Sequence, residues 1–391
     1  MTTIRTAPPT GATATQPLIT PALLVRFVSI VGSSVGFYLP LSVVPLVAEE
    51  AGSASSAGLA TVALLLATVA CELVTPRLVR LVGYRWALSG GLLLLGAPTV
   101  VLVVAASTPA ILAVSVLRGI GFAVSVTAGG AVTASLIPSE RRGEGLALVG
   151  IVGGVPGMLA LPAGVWMAAR WGYAPVFVAT TVATLLALVS VPGLPTRSFA
   201  GRADDDALGV VTGLRSRAIR RPAAIFAGST AAVGILVTFL PLALNGTQAW
   251  VAAAALLGQP AASTAARWYA GRIGDRRGQA CLLVPGLVLA VCGMAGIGCL
   301  HSPAAVIGGA VLFGVGFGVL QNATLCLMFA RAPEGSEGAV SAIWNAAYDL
   351  GMAVGALGAG LVVARLGYAA TFVLAAGVML PGIAVARRDR R

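Results

Sequence analysis

Four ionisable residues, Arg26, Glu72, Arg118 and Asp349, sit inside long apolar runs. Such a group costs about 2.5–3.5 kcal/mol at the centre of a bilayer, so each one needs a reason. Asp349 has the best surroundings for chemistry. Asn345 precedes it by one helical turn, and Trp344 and Tyr348 form a neighbouring stripe. A carboxyl taken out of water loses its preference for the charged form and can exchange a proton near neutral pH. Asp349 is therefore a candidate proton carrier or counter-charge to a bound molecule; its alternative role is to fix helix packing. Glu72 is the second proton-coupling candidate, although it lies at the depth of Arg26 and the two are expected to pair. Arg118 could clamp a carboxylate or phosphate in a central cavity, or be spent on a backbone carbonyl. Gln259, Gln321 and Asn322 offer neutral hydrogen bonds, to a bound molecule or between helices.

Other chemistry is excluded. The phosphate-cradling pattern Gly-x-x-x-x-Gly-Lys needs a lysine, and all 25 basic residues are arginine. No catalytic carboxylate pair, nucleophile elbow or metal-ligand spacing occurs. The five cysteines lie in apolar stretches and read as small buried hydrophobes. His301, the single histidine, falls in a short loop. The residues point to no enzyme, no cofactor and no metal.

The elements that must position these groups follow from composition. Of the residues, 58% are hydrophobic and 10% are charged, against roughly a quarter charged in soluble domains. A lipid bilayer is the solvent that such a surface requires. The net charge of +12 does not form a nucleic-acid face, because the arginines are scattered through short loops between apolar runs.

Twelve runs approach the roughly 20 residues a crossing needs. They cover 22–47, 57–78, 87–107, 110–136, 145–168, 173–193, 223–245, 249–269, 281–300, 304–330, 339–362 and 368–386. The second six repeat the first. Val116-Leu117-Arg118-Gly119-Ile120-Gly121-Phe122 returns as Val311-Leu312-Phe313-Gly314-Val315-Gly316-Phe317, and 311 − 116 is an offset of 195 residues. Ala169-Arg170-Trp171-Gly172-Tyr173 returns as Ala364-Arg365-Leu366-Gly367-Tyr368 at the same offset. The expected architecture is an all-α polytopic membrane protein, twelve transmembrane helices in two pseudo-symmetric six-helix bundles.

One set of loops is rich in arginine and the other carries only Arg170 and Arg365. The rich side is expected to be cytoplasmic, with both termini inside a cell (plasma) membrane. Glu49 and Glu50 then end the first span on the outer side, facing water. The expected organisation is a disordered tail over 1–20, a first bundle over 21–193, a cytoplasmic linker over 194–222, a second bundle over 223–386 and a basic tail over 387–391.

Between the eighth and ninth spans lies Gly271-Arg272-Ile273-Gly274-Asp275-Arg276-Arg277-Gly278-Gln279. It resembles the loop motif Gly-x-x-x-Asp-Arg-x-Gly-Arg of the major facilitator superfamily, with Gln279 at the last position. The first-half copy, Pro76 to Arg85, keeps Gly83 and Arg85 and places Arg80 where the motif has an acid. The resemblance implies that Arg80, Gly83, Arg85, Gly271, Asp275, Arg276 and Gly278 brace an inner gate by charge contacts with helix ends. The fourth span resembles the family pattern Arg-x-x-x-Gly-x-Gly through Gly119 and Gly121, with Ser115 at the arginine position and Arg118 three residues on. The fifth span resembles the antiporter pattern through Gly150, Gly154, Pro156 and Gly157.

Together these resemblances imply the major facilitator fold. The expected function is proton-coupled export of a small organic molecule, a drug-like compound or natural product, by alternating access. The alternative is proton-linked import of a metabolite, to which Arg118 and Arg26 would suit an anion. A non-transporting membrane sensor or scaffold is the third reading. Expected partners are the small-molecule substrate, protons and the lipid bilayer, with no nucleic acid, and the chain is expected to be a monomer. Asp349 and Glu72 are the proton-coupling candidates, and Arg118, Gln321, Asn322, Asn345, Trp344, Tyr348 and Gln259 the candidates for the cavity.

Overall fold

The computed structural model describes residues 19–52, 54–137, 142–194, 213, 215–332 and 337–388. Among them the regular structure is helical throughout. The expected N-terminal tail up to residue 18, most of the linker and residues 389–391 lie outside the described residues.

The first half contributes α1 (Pro21–Tyr38), α2 (Val43–Ala51), α3 (Ala54–Val82), α4 (Tyr84–Gly96), α5 (Val101–Val104), α6 (Thr108–Leu136), α7 (Arg142–Trp171) and α8 (Tyr173–Ser190). The second contributes α9 (Arg217–Ala243), α10 (Ala249–Arg277), α11 (Leu283–Ile297), α12 (Pro303–Arg331) and α13 (Glu337–Arg388). Helix α9 begins five residues before the end of the stretch expected to be linker. The repeat is visible in the helix bounds. Adding 195 to the ends of α3 gives those of α10, and adding 195 to the ends of α6 gives those of α12.

Ten described segments are long and apolar enough to cross a membrane. The last of these, Ala342–Arg388, holds two rods, because Gly367 (φ 78°) interrupts α13. The 29-residue α10 falls outside the ten, yet it packs lengthwise against α12 and also meets α7. Among the described residues, dividing α13 at Gly367 and adding α10 gives twelve rods, of which ten segments meet the length and hydropathy of a membrane span. Gly172 (φ 81°) makes the equivalent break before α8, and Gly83 (φ 78°) and Gly278 (φ 81°) form a second pair 195 residues apart. Glycine alone adopts this backbone at no steric cost.

The first span is not one helix, as the sequence suggested, but α1 and α2 joined by a turn over Leu39–Ser42. Pro40 is the cause. It has no N–H to give the Gly36 carbonyl, and the Leu41 N–H turns back to Tyr38 O at 3.2 Å, so Phe37 O loses its partner too. Both carbonyls are claimed by Arg118, whose Nη2 donates to Phe37 O at 3.1 Å and Gly36 O at 3.3 Å. A buried carbonyl left without a donor is costly, and the guanidinium answers a backbone defect made by one proline.

The halves meet at the end opposite the arginine-rich loops. The Ser42 hydroxyl donates to Val237 O at 2.8 Å, and the Thr61 and Thr238 hydroxyls lie 3.0 Å apart. Ser42 and Val237 are themselves 195 residues apart. Two equivalent positions in contact lie beside the pseudo-twofold axis. At Gly58 a Cβ would come within 2.6 Å of Ala356 O, so α3 and α13 touch backbone to backbone there. The Tyr368 hydroxyl, from the second half, donates to Glu49 in the first.

Candidate functional site: a cavity between the halves

Beneath that seal lies a cavity of about 470 Å³, walled by α1, α3, α6 and α7 from one half and α9, α10, α12 and α13 from the other. Its positions come in equivalent pairs. Tyr38 faces it with Val233, Phe122 with Phe317, and Gly157 with Met352. The wall is aromatic in both halves. Phe37 stacks on Phe122 with centroids 3.7 Å apart, and Phe226 stacks on Trp344 at 4.3 Å behind Phe317.

Glu72, Asp349 and Arg267 bring charge to the lining. Asp349 lies 349 − 337 = 12 residues into α13, about 18 Å along the helix at 1.5 Å per residue. Asn345, Trp344 and Tyr348 line the cavity from the same helix, and Gln259 and Gln321 line it from α10 and α12. Two of these polar groups are already oriented. Gln321 Oε1 accepts from the Ser263 hydroxyl at 3.3 Å, and Trp344 Nε1 donates to Thr324 Oγ1 at 3.3 Å. Asn345 is exposed.

Two sequence candidates lie elsewhere. Arg118 is 1% exposed and does not line the cavity; it faces the α1 carbonyls, because Pro40 leaves them without donors. Its Nε has no hydrogen-bond partner among the described residues. Asn322 is turned away as well, its Nδ2 donating to Gln279 Oε1 at 3.3 Å. The expected pair of Arg26 and Glu72 does not form. Arg26 Nε donates to Thr133 Oγ1 at 3.1 Å and Nη1 to Ser29 Oγ at 2.6 Å, while Glu72 faces the cavity. Hydroxyls close at hand satisfy the guanidinium without a carboxylate. Glu49 and Glu50 do not simply face water: they accept from Tyr368 and Tyr173, the latter bond 2.5 Å long.

Arg267 is not among the cavity candidates drawn from the sequence. It stands ten residues before the end of α10 (277 − 267) and lines the cavity. Its signal was present in the repeat: Arg267 is the equivalent of Glu72, since 267 − 72 = 195.

The loop motif forms helix ends. Gly83 and Gly278 take positive φ at the turns into the following helices. Arg85 donates from Nη2 to Pro192 O at 2.8 Å and from Nε to Leu194 O at 2.7 Å, tying α4 to the chain after α8. On the second copy, Gln279 reaches Asn322 of α12, and a Cβ on Gly271 would stand 3.9 Å from Asn322 Oδ1. Arg276 is exposed in the last turn of α10. The side chains of Arg80 and Asp275 lie outside the described residues. Among the described residues no group of three or more potential metal ligands occurs.

No curated protein matches the chain by sequence. Solved structures do match it in shape. A nucleoside transporter, NupG, superposes with a TM-score of 0.74 at 12% identity, over 94% of this chain and 100% of that one. A peptide transporter, POT, gives 0.73 at 16% identity over 94% of each chain. The human organic anion transporter MFSD10 gives 0.61 at 18% identity, over 93% of this chain and 98% of its own. At these identities the likeness is one of fold. The family model described as Major Facilitator Superfamily matches residues 26–356 and again 246–391.

Proposed function

The chain belongs to the major facilitator superfamily, and from that premise we propose that it couples inward proton movement to export of a small organic molecule. Its membership makes it a multi-pass secondary transporter. Direction, coupling ion and cargo are the proposal. Asp349 carries it: a carboxyl in the wall of a cavity between two halves that seal against each other at one end. In the cycle proposed, cargo enters from the arginine-rich, cytoplasmic side and displaces the proton from Asp349. The halves then rock, the seal at Ser42 and Thr61 opens, and Asp349 is reprotonated from outside as cargo leaves. The protein would act as a monomer in the cell membrane, with both termini inside. Import of an anion loses support from Arg26 and Arg118, which are held by hydroxyls and carbonyls outside the lining.

Full-length protein in sealed vesicles tests this reading. With a preset pH gradient, adding an aromatic amine on the cytoplasmic side should release protons. Asp349→Asn should lower that release at least tenfold and spare gradient-free exchange of the same compound. Undiminished proton release from the variant would remove Asp349 from the coupling step.

A further inference from the structure

Glu72 and Arg267 occupy the same place in the two halves. Each lies ten residues before the end of its helix, α3 for Glu72 (82 − 72) and α10 for Arg267 (277 − 267), and each lines the cavity. Ten residues are about 15 Å of helix, so both stand at nearly the depth of Asp349. Equivalent positions lie on opposite sides of the pseudo-twofold axis, and helix packing fixes which side is which. Helix α3 packs against α13, so Glu72 and Asp349 share one flank of the cavity. Helix α10 packs against α7, where the equivalent of Asp349 is Gly154 (349 − 195). A Cβ on Gly154 would meet nothing within 4 Å. One flank therefore carries two carboxyls and the other a guanidinium beside open space. No ion pair joins the three charged residues among the described residues.

We propose that the cargo is amphoteric: an aromatic or apolar body with an ammonium that faces Glu72 and Asp349 and an acidic group that faces Arg267. This rests on the transport reading above and names its substrate class. A simple cation would leave Arg267 without a counter-charge in the same cavity, and a simple anion would meet two carboxyls. An amphoteric molecule satisfies both flanks at once, and the Phe122 and Phe317 rings, an equivalent pair, give its body matching walls. When the cargo displaces the proton of Asp349, its ammonium replaces that proton's positive charge, and its acidic group is neutralised by Arg267. The number of unpaired charges in the cavity then does not rise.

Three probes with one indole body separate the possibilities: tryptophan (amine and carboxylate), tryptamine (amine only) and indole-3-propionate (carboxylate only). Binding is read by thermal stabilisation of full-length protein in nanodiscs, and transport by the vesicle assay. Tryptophan is expected to bind at least tenfold more tightly than either relative. Arg267→Gln should bring tryptophan down to the level of tryptamine and leave tryptamine binding unchanged or improved. Glu72→Gln should bring tryptophan toward indole-3-propionate. A variant that merely unfolds would lose all three probes together, and circular dichroism with size exclusion identifies it; Arg267→Lys, which keeps the charge, should then retain the tryptophan preference. Tryptamine bound best, an Arg267→Gln variant indifferent to the carboxylate, or no binding of tryptophan overturns the proposal. Asp349-dependent proton release driven by tryptamine but not by tryptophan would overturn it while leaving the transport reading intact. Tryptophan binding that needs Arg267 but moves no protons would do the reverse.

Discussion

Gly119 and Gly314 hold equivalent places in the two halves. A Cβ on Gly119 would come within 2.1 Å of the Leu64 carbonyl oxygen, and one on Gly314 within 2.2 Å of the Gln259 carbonyl oxygen. The partners are equivalent too, since 259 − 64 is also 195. One residue earlier the correspondence ends. Arg118 binds backbone carbonyls of α1, whereas its equivalent Phe313, also fully buried, lies against Phe317 at 5.9 Å. The contrast separates two kinds of constraint. Where backbone meets backbone, no neighbouring side chain can retreat to admit a larger residue, so the crossing is kept in both copies. Where a side chain meets its surroundings, each copy can find its own partners. The charged walls of the cavity, Glu72 against Arg267 and Gly154 against Asp349, are of the second kind.

The largest effect should therefore appear at the crossings and be equal in both halves. Gly119→Ala and Gly314→Ala each force a Cβ against a carbonyl oxygen, an overpacking cost of about 3 kcal/mol. Each should lower the apparent melting temperature of the purified protein by a similar amount. If one variant melts like the parent while the other does not, the two crossings are not equivalent, and the comparison fails at its strongest point.

At Arg118 the halves should differ, and the defect should be repairable. Arg118→Met strands the Gly36 and Phe37 carbonyls, which should cost about 2 kcal/mol. Pro40→Ala gives residue 40 an N–H that can reach Gly36 O and continue α1. In the Arg118→Met background it should recover about half of the loss. A double-mutant cycle read by thermal unfolding checks this, and strictly additive effects would show that the arginine and the proline are independent.

What the sequence disclosed follows the same division. The repeat offset and the breaks at Gly172 and Gly367 were legible because they depend on backbone conformation and on apolar length. Asp349 was legible because a carboxylate in an apolar run stands out. Arg267 was not, and the reason is physical. Arg267 lies inside the 249–269 run, two residues from its end and close to Arg272, Arg276 and Arg277, and composition does not separate an arginine that faces a cavity from one that faces water at a helix end. The break after Tyr38 was hidden because prolines occur within membrane helices without ending them. The partners of Glu49 and Glu50 were hidden by distance along the chain, 319 residues to Tyr368 and 123 to Tyr173.

Those two tyrosines give the smallest and most specific test of how the halves differ. They are equivalent (368 − 173 = 195), follow equivalent positive-φ glycines, and donate to adjacent carboxylates at the end of α2. Only the Tyr368 bond crosses between the halves. Tyr173 and Glu50 both belong to the first and move together when the halves rock. Each bond is partly open to solvent, so losing either should cost less than about 1 kcal/mol of stability. Their effects on conformation should nevertheless part. Tyr368→Phe removes a contact made only while this end is closed, and it should raise the population open at this end about threefold. Tyr173→Phe should leave it unchanged. Labelling of a cysteine placed at Thr61, which faces Thr238 inside the seal, reads the difference: the thiol should react faster in the Tyr368→Phe background alone. Equal acceleration in both would mean that the α2 carboxylates act by positioning their own helix, and that the seal is held by Ser42, Thr61 and the α3–α13 crossing without them.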